Sequence, residues 1–167
     1  MTTQILFDAH RDGVFRYLSR VVGRGEAADL TQEVFLRVVR SAAPEADEHG
    51  MRAWVFRIAR NLALNHLRDS KRELASAALV DSARAASQET TAAIHQALEQ
   101  LAPLDRDVFL MREAAGLSYG EIAAACEITP DAVRSRLHRA RQQLRDLLCP
   151  PCGVGGEVQV VRLYDKA

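Results

Sequence analysis

No run of apolar residues in this 167-residue chain approaches the roughly 20 that a membrane-spanning helix needs. Cysteine is scarce. Cys126, Cys149 and Cys152 are too few for a disulfide framework and fit a reducing compartment. The amino terminus lacks the basic-then-apolar pattern of a secretory signal, so a cytoplasmic location is expected. Strand signals are nearly absent before residue 154, and no internal repeat is found. No metal-ligand cluster, phosphate loop or nucleophile–base grouping occurs, so no catalytic residue, metal or cofactor is expected. Net charge is absent too, because 22 Lys and Arg balance 22 Asp and Glu.

What is present is segregated charge. Residues 26–48 carry Glu26, Asp29, Glu33, Glu45, Asp47 and Glu48 against Arg37 and Arg40. Residues 52–72 carry Arg52, Arg57, Arg60, Arg68, Lys71 and Arg72 against Asp69 alone. A third, basic stretch at 134–145 holds Arg134, Arg136, Arg139, Arg141 and Arg145 with no acid. A neutral protein can bind nucleic acid when its charge is sorted in this way, and one acidic segment beside two basic ones implies two kinds of partner.

The last basic stretch belongs to the most informative part of the chain. Ser118 and Glu121 have capping-box spacing and start a short helix, with Ile122, Ala123 and Cys126 as its apolar face. Thr129 is a good N-cap for the next helix, with Pro130 at its first position. Val133, Leu137, Ala140 and Leu144 recur at helical spacing, whereas Arg134, Ser135, His138, Arg139 and Arg141 fall away from that stripe. One face packs and the other is free to enter a major groove, as a helix-turn-helix requires. The competing reading is a solvated basic face.

The rest reads as helices. Residues 3–22 form one, with Ile5, Leu6, Val14, Leu18 and Val21 apolar, and residues 27–40 a second, with Leu30, Val34, Phe35 and Val38 on one side. An acidic loop at 44–50 precedes a third, at 52–71, with Val55, Ile58 and Leu62 as its buried stripe and Trp54 at its start. An Ala-, Ser- and Thr-rich stretch follows. Periodicity resumes with Ile94, Ala97, Leu98 and Leu101, breaks at Pro103, and returns with Val108, Phe109 and Met111. The expected fold is all-α. Two small helical domains, 1–74 and 94–148, are joined by a flexible linker at 75–93, and the second contains the helix-turn-helix. The tail at 149–167 reads either as a strand or as disorder.

On the third helix Arg57, Arg60, Asn61, Asn65 and Arg68 lie three and four apart and share a face. Amides read base edges, arginines hold phosphates, and unpaired bases offer flat faces.

Three stretches carry a family resemblance. They are Asp29-Leu-Thr-Gln-Glu-Val-Phe-Leu-Arg37, Trp54 through Arg68, and residues 104–145. In this order they resemble bacterial sigma factors, in the compact extracytoplasmic-function group that keeps only the sigma-two and sigma-four domains. The resemblance implies core RNA polymerase and promoter DNA as partners, with a cognate anti-sigma factor as a further one. It implies polymerase docking through Asp29, Gln32, Glu33 and Arg37. It implies minus-ten reading and melting through Arg57, Arg60, Asn61, Asn65 and Arg68, with one base flipped into a pocket framed by residues 41–51. It implies minus-thirty-five reading through Arg134, Ser135, His138 and Arg139. Arg134, in the first turn, is expected to touch bases, and Arg139 to serve phosphate.

A dimeric duplex-binding regulator is the rival reading, but it would carry a ligand pocket or phosphoacceptor in the first domain. Cys149 and Cys152 have a spacing used by zinc sites and redox dithiols. No further ligands complete a zinc set, and the pair follows a helix C-terminus, whose dipole disfavours thiolate. A structural or incidental role is expected for them.

Overall fold

The computed structural model describes residues 3–76 and 89–149, and every regular element among them is a helix. In order these are α1 (Thr3–Val21), α2 (Arg24–Arg40), α3 (Glu48–Ser76), α4 (Glu89–Glu99), α5 (Pro103–Glu113), α6 (Tyr119–Cys126) and α7 (Pro130–Leu148).

Local chemistry explains the boundaries. Gly23, at φ 95°, separates α1 from α2 in a backbone conformation costly for any other residue. α3 begins four residues before the expected start because Asp47 caps it. The Asp47 Oδ1 accepts from the Gly50 amide at 2.8 Å, and its carbonyl accepts from Met51 at 2.9 Å. α3 and α4 also run into both edges of the expected 75–93 connection, which leaves residues 77–88 between them. That remainder, and the tail from residue 150 on, lie outside the described residues. α5 opens on Pro103 and ends at Glu113, and beyond it Gly116, at φ 70°, lets the Leu117 amide reach back to the Met111 carbonyl.

The helix-turn-helix forms as its caps require. Ser118 accepts from the Glu121 amide while the Glu121 carboxylate accepts from the Ser118 amide at 2.6 Å. Thr129 caps α7 by accepting from the Ala132 amide. Val133, Leu137, Ala140 and Leu144 are all buried. The turn between the helices departs from the cheapest solution: Glu127 adopts a left-handed conformation (φ 57°, ψ 44°) that costs a residue with a Cβ roughly 1–2 kcal/mol.

α1, α2 and α3 pack against one another in the first half; α5, α6 and α7 do so in the second, with α4 on α7. The halves are themselves in contact, α3 against α6 and α1 against α5, and one apolar core runs through both. Tyr17 and Phe56, both fully buried, meet edge-on at 6.0 Å on the first-half side. Several expected apolar positions are not fully buried, Leu30, Ile94 and Phe109 being half-buried. Ile5 is exposed, and Ile58 is only half-buried because Val55, Phe56, Ala59 and Leu62 take the inward face of α3.

Candidate nucleic-acid and polymerase interfaces

The recognition helix presents its expected face. Arg134, Ser135, His138 and Arg139 are all exposed on α7. Its arginines are not bare, however. Arg134 pairs with Asp131 at 3.2 Å, where both side chains are open to solvent. Arg141 pairs with Glu113 at 2.7 Å. Arg136 and Arg139 share one carboxylate: Arg136 Nη1 donates to Asp105 Oδ1 at 2.7 Å, and Arg139 Nε lies 2.8 Å from Asp105 Oδ2. Asp105 is itself buried in the first turn of α5, where the helix dipole favours a carboxylate.

The basic helix α3 is divided. Asn61, Asn65 and Arg68 are exposed. Arg57 and Arg60 instead face the second half. Arg60 Nε donates to Asp107 Oδ2 at 2.8 Å, and the Tyr17 hydroxyl donates to Asp107 Oδ1 at 3.2 Å. Arg57 lies 3.5 Å from Glu127. Earlier on α3, Arg52 lies 3.7 Å from Glu121 and His49 Nδ1 is 3.0 Å from it. Arg52 also donates to the Ala115 carbonyl at 2.6 Å, and Arg16 of α1 to the Ala114 carbonyl at 2.9 Å. These last carbonyls belong to the end of α5, where helical carbonyls run out of amides and cations are favoured. The contact between the halves is therefore a row of cations on α1 and α3 against Asp107, Glu121, Glu127 and the end of α5.

The titrating groups report the same environment. Burial raises the Asp107 pKa above the usual carboxylate value, with Arg60 and Tyr17 opposing it. Burial, followed by the Asp107 charge, holds the Tyr17 hydroxyl well above its ordinary pKa. Burial also works to raise Glu121, but the Ser118 amide, His49 and Arg52 outweigh it and the net shift is downward. His49 is raised by its bond to Glu121. Cys126 is buried against the Met111 sulfur and its thiol is pushed up to about 11, which makes it a poor nucleophile.

The third surface is on α2. Asp29, Gln32 and Arg37 are exposed, and half-buried Glu33 accepts from Arg37 Nε at 2.9 Å. Beside them Leu36 and Val39 stand 46% and 61% exposed, an apolar pair that the buried stripe does not use. The sequence reading passed over both. Their signal is positional: 29, 32, 33, 36 and 40 recur at helical spacing, so an apolar residue at 36 falls among the charged ones. Asp105, Asp107, Glu121 and Glu127 were also not singled out as partners of arginines. Asp107 meets Tyr17 and Arg60 across 90 and 47 residues, and no local pattern marks such a pairing.

Among the described residues there is no cluster of three or more His, Cys, Asp or Glu able to hold a metal, and no helix long and apolar enough to cross a membrane. Cys149 is exposed at the end of α7.

The chain's similarities fall into the same two halves. Residues 6–73 match the family Sigma-70 region 2, and residues 91–144 match Sigma-70, region 4. The first covers α2 and nearly all of α3, the second the helix-turn-helix. The chain is 36% identical over 151 residues to the ECF RNA polymerase sigma factor SigE of Mycolicibacterium smegmatis, a match covering 83% of this chain and 58% of that protein. It is 34% identical over 151 residues to the RNA polymerase sigma factor CarQ of Myxococcus xanthus, covering 86% of this chain and 87% of that one. The fold is shared with the sigma factor RpoE of Bartonella quintana, solved with the anti-sigma factor NepR (TM-score 0.66, 22% identity, 87% of this chain and 95% of that chain). It is shared also with CnrH, solved with the cytosolic domain of CnrY (TM-score 0.66, 23% identity, 87% and 86%). The chain thus has the two-region architecture of a sigma-70 protein. It belongs to the ECF RNA polymerase sigma factors.

Proposed function

We propose that this chain binds core RNA polymerase and directs promoter-specific initiation, acting as an initiation factor and not as an enzyme, in the cytoplasm where polymerase works. One observation carries the reading: a single chain presents, in the order the resemblance expects, α2 with Asp29, Gln32 and Arg37 exposed, a basic α3 with Asn61 and Asn65 exposed, and α7 with Arg134, Ser135, His138 and Arg139 exposed. We place a region-2 domain at 1–74, a linker at 75–93 and a region-4 domain at 94–148, with the family matches at 6–73 and 91–144 as support.

On α2, Asp29, Gln32, Glu33 and Arg37 dock on polymerase, and Leu36 and Val39 add apolar area to that contact. On α3, Asn61 and Asn65 read the minus-ten strand while Arg57, Arg60 and Arg68 hold its backbone. Because Arg57 and Arg60 are engaged by Glu127 and Asp107, reading that strand requires the halves to part. On α7, Arg134, Ser135, His138 and Arg139 face the minus-thirty-five element. A cognate anti-sigma protein is a further proposed partner. Its support is that the sigma factor RpoE named above was solved with the anti-sigma factor NepR.

The test is direct. Purified protein mixed with core polymerase should co-elute with it and start transcription from a subset of promoters in a fragment library. Failure to bind core, or to start transcription from any fragment, defeats the reading.

A further inference from the structure

Arg136 alone would tie α7 to α5. Its side chain is 29% exposed and its bond to Asp105 is 2.7 Å long, which is what a structural tie looks like. The same carboxylate reaches a second arginine that packing does not need. Arg139 keeps 59% of its side chain in solvent and belongs to the promoter-facing set, yet its Nε sits 2.8 Å from Asp105. Nε is the inner edge of a guanidinium. The outer edge, Nη1 and Nη2, makes the bidentate contacts with guanine or phosphate.

Two physical consequences follow. First, a carboxylate that is buried and held by a second arginine cannot follow Arg139 about, so the 2.8 Å ion pair restrains where that guanidinium sits. Second, the three groups together carry one positive charge and not two, which weakens long-range attraction to phosphate. Arg134 contrasts with this. Its partner Asp131 has 90% of its side chain exposed, so solvent screens the pair and the pair exchanges freely for phosphate.

We propose that Asp105 is a positioning residue for minus-thirty-five recognition: it orients Arg139, so that Arg139 contributes a directional contact to promoter choice and little counterion release. This revises the even, phosphate-only contribution expected of Arg139, and it rests on the proposed promoter-reading role of α7.

The experiment uses the full chain loaded on core polymerase. Wild-type holoenzyme first selects its preferred minus-thirty-five element from a randomised duplex library. Competition between that element and random duplex, over a salt series, is then measured for wild type, Asp105→Asn, Arg139→Gln and the double variant. Asp105→Asn should bind random duplex at least as tightly as wild type, because a negative charge near DNA is gone, while losing about tenfold of its discrimination. Arg139→Gln should lose similar discrimination, with a salt slope lowered by clearly less than the roughly 0.9 that one phosphate contact supplies. The double variant should lose no more than either single one. A purely structural Asp105 would lower both kinds of binding together.

Undiminished discrimination in folded Asp105→Asn, or additive losses in the double variant, overturns the proposal. If Asp105→Asn does not fold, Arg139→Gln decides alone: discrimination kept and slope lowered by about one unit overturns it. A wild-type holoenzyme that selects no element defeats the promoter-reading role, and this inference with it. Selection by wild type with unchanged selection by the variants defeats this inference only.

Discussion

On α7 the residues proposed to face the promoter stand in solvent, and the carboxylates that pair with its arginines (Asp105, Glu113, Asp131) come from its own half. On α3 two of the five residues proposed to face the promoter are turned onto the other half, and their carboxylates, Asp107 and Glu127, come from across the contact. The chemistry is the same, arginine against carboxylate, but the placement makes different devices. Acids within the same half shape a face that is already presented. Acids from the opposite half cover a face until the halves separate. On the proposed reading region 4 meets duplex DNA in the closed arrangement, whereas region 2 exchanges protein carboxylates for phosphates first.

The largest expected effect comes from Asp107. Asp107→Ala strands the Arg60 guanidinium and the Tyr17 hydroxyl, and breaking a buried pair on one side costs up to about 3–5 kcal/mol. Parting the halves returns Arg60 to water and avoids much of that cost. The variant should therefore open and not unfold: an increased radius of gyration by small-angle scattering, with helical circular dichroism retained. Loss of helix together with the contact would show that the halves do not stand apart.

A second change separates the two kinds of residue on α3. Asn61→Ala should alter minus-ten base preference by about 1–3 kcal/mol, the worth of a base-edge contact. Arg60→Ala should weaken holoenzyme binding across sequences and also loosen closure of the free protein. Permanganate footprinting on substituted promoters distinguishes them, and an unchanged preference in the Asn61 variant removes it from readout.

Glu127→Gly should have a smaller effect of mixed sign. It relieves roughly 1 kcal/mol of left-handed strain in the turn, stabilising region 4. It also removes the exposed pair with Arg57, worth about 0–1 kcal/mol. A higher melting temperature for region 4 with a larger open fraction is the expected pair of results. A tighter closed state would mean that Arg57 gains nothing from Glu127.

The smallest effect is with pH. The raised pKa of His49 means that its bond to Glu121 supports closure fully below the ordinary value of 6.5 and is lost as pH rises through the raised one. Glu121, shifted downward, stays charged throughout that window. His10 works the other way, because burial and then Arg52 hold its pKa down and acidification penalises it. Comparing wild type with His49→Gln isolates the first contribution. Their difference in closed fraction, read by interdomain energy transfer, should grow from pH 8 to pH 6, and a difference independent of pH would remove His49 from the contact.

Much of this was legible in one dimension. The capping box at Ser118 and Glu121, the Thr129 cap and the Val133–Leu144 stripe are local signals, and local signals set where helices start and which face they bury. The docking candidates on α2 came from the family resemblance and not from spacing, since exposed charges on one helix read equally as a solvated surface. The contact between halves was not. Arg57 and Arg60 read as a free basic stripe, since nothing within several residues announces Asp107 or Glu127. Glu121 was legible as a cap but not as the partner of His49 and Arg52, because one side chain does both jobs and only the first is local.

The gap between α3 and α4 sets a further bound. From Ser76 to Glu89 the chain spans thirteen Cα–Cα steps, at most about 43–47 Å when fully extended. Two halves on so short a tether face each other at an effective concentration on the millimolar scale, so even a weak contact keeps them closed in the free protein. The same tether limits how far apart they can go. Where α3 and α4 are pulled toward separate stretches of duplex, about 45 Å corresponds to roughly 13 base pairs at 3.4 Å each, plus whatever the helices themselves add. Deleting residues from 77–88 should therefore narrow the range of spacer lengths between the two promoter elements that the protein tolerates, without touching a single residue that meets DNA.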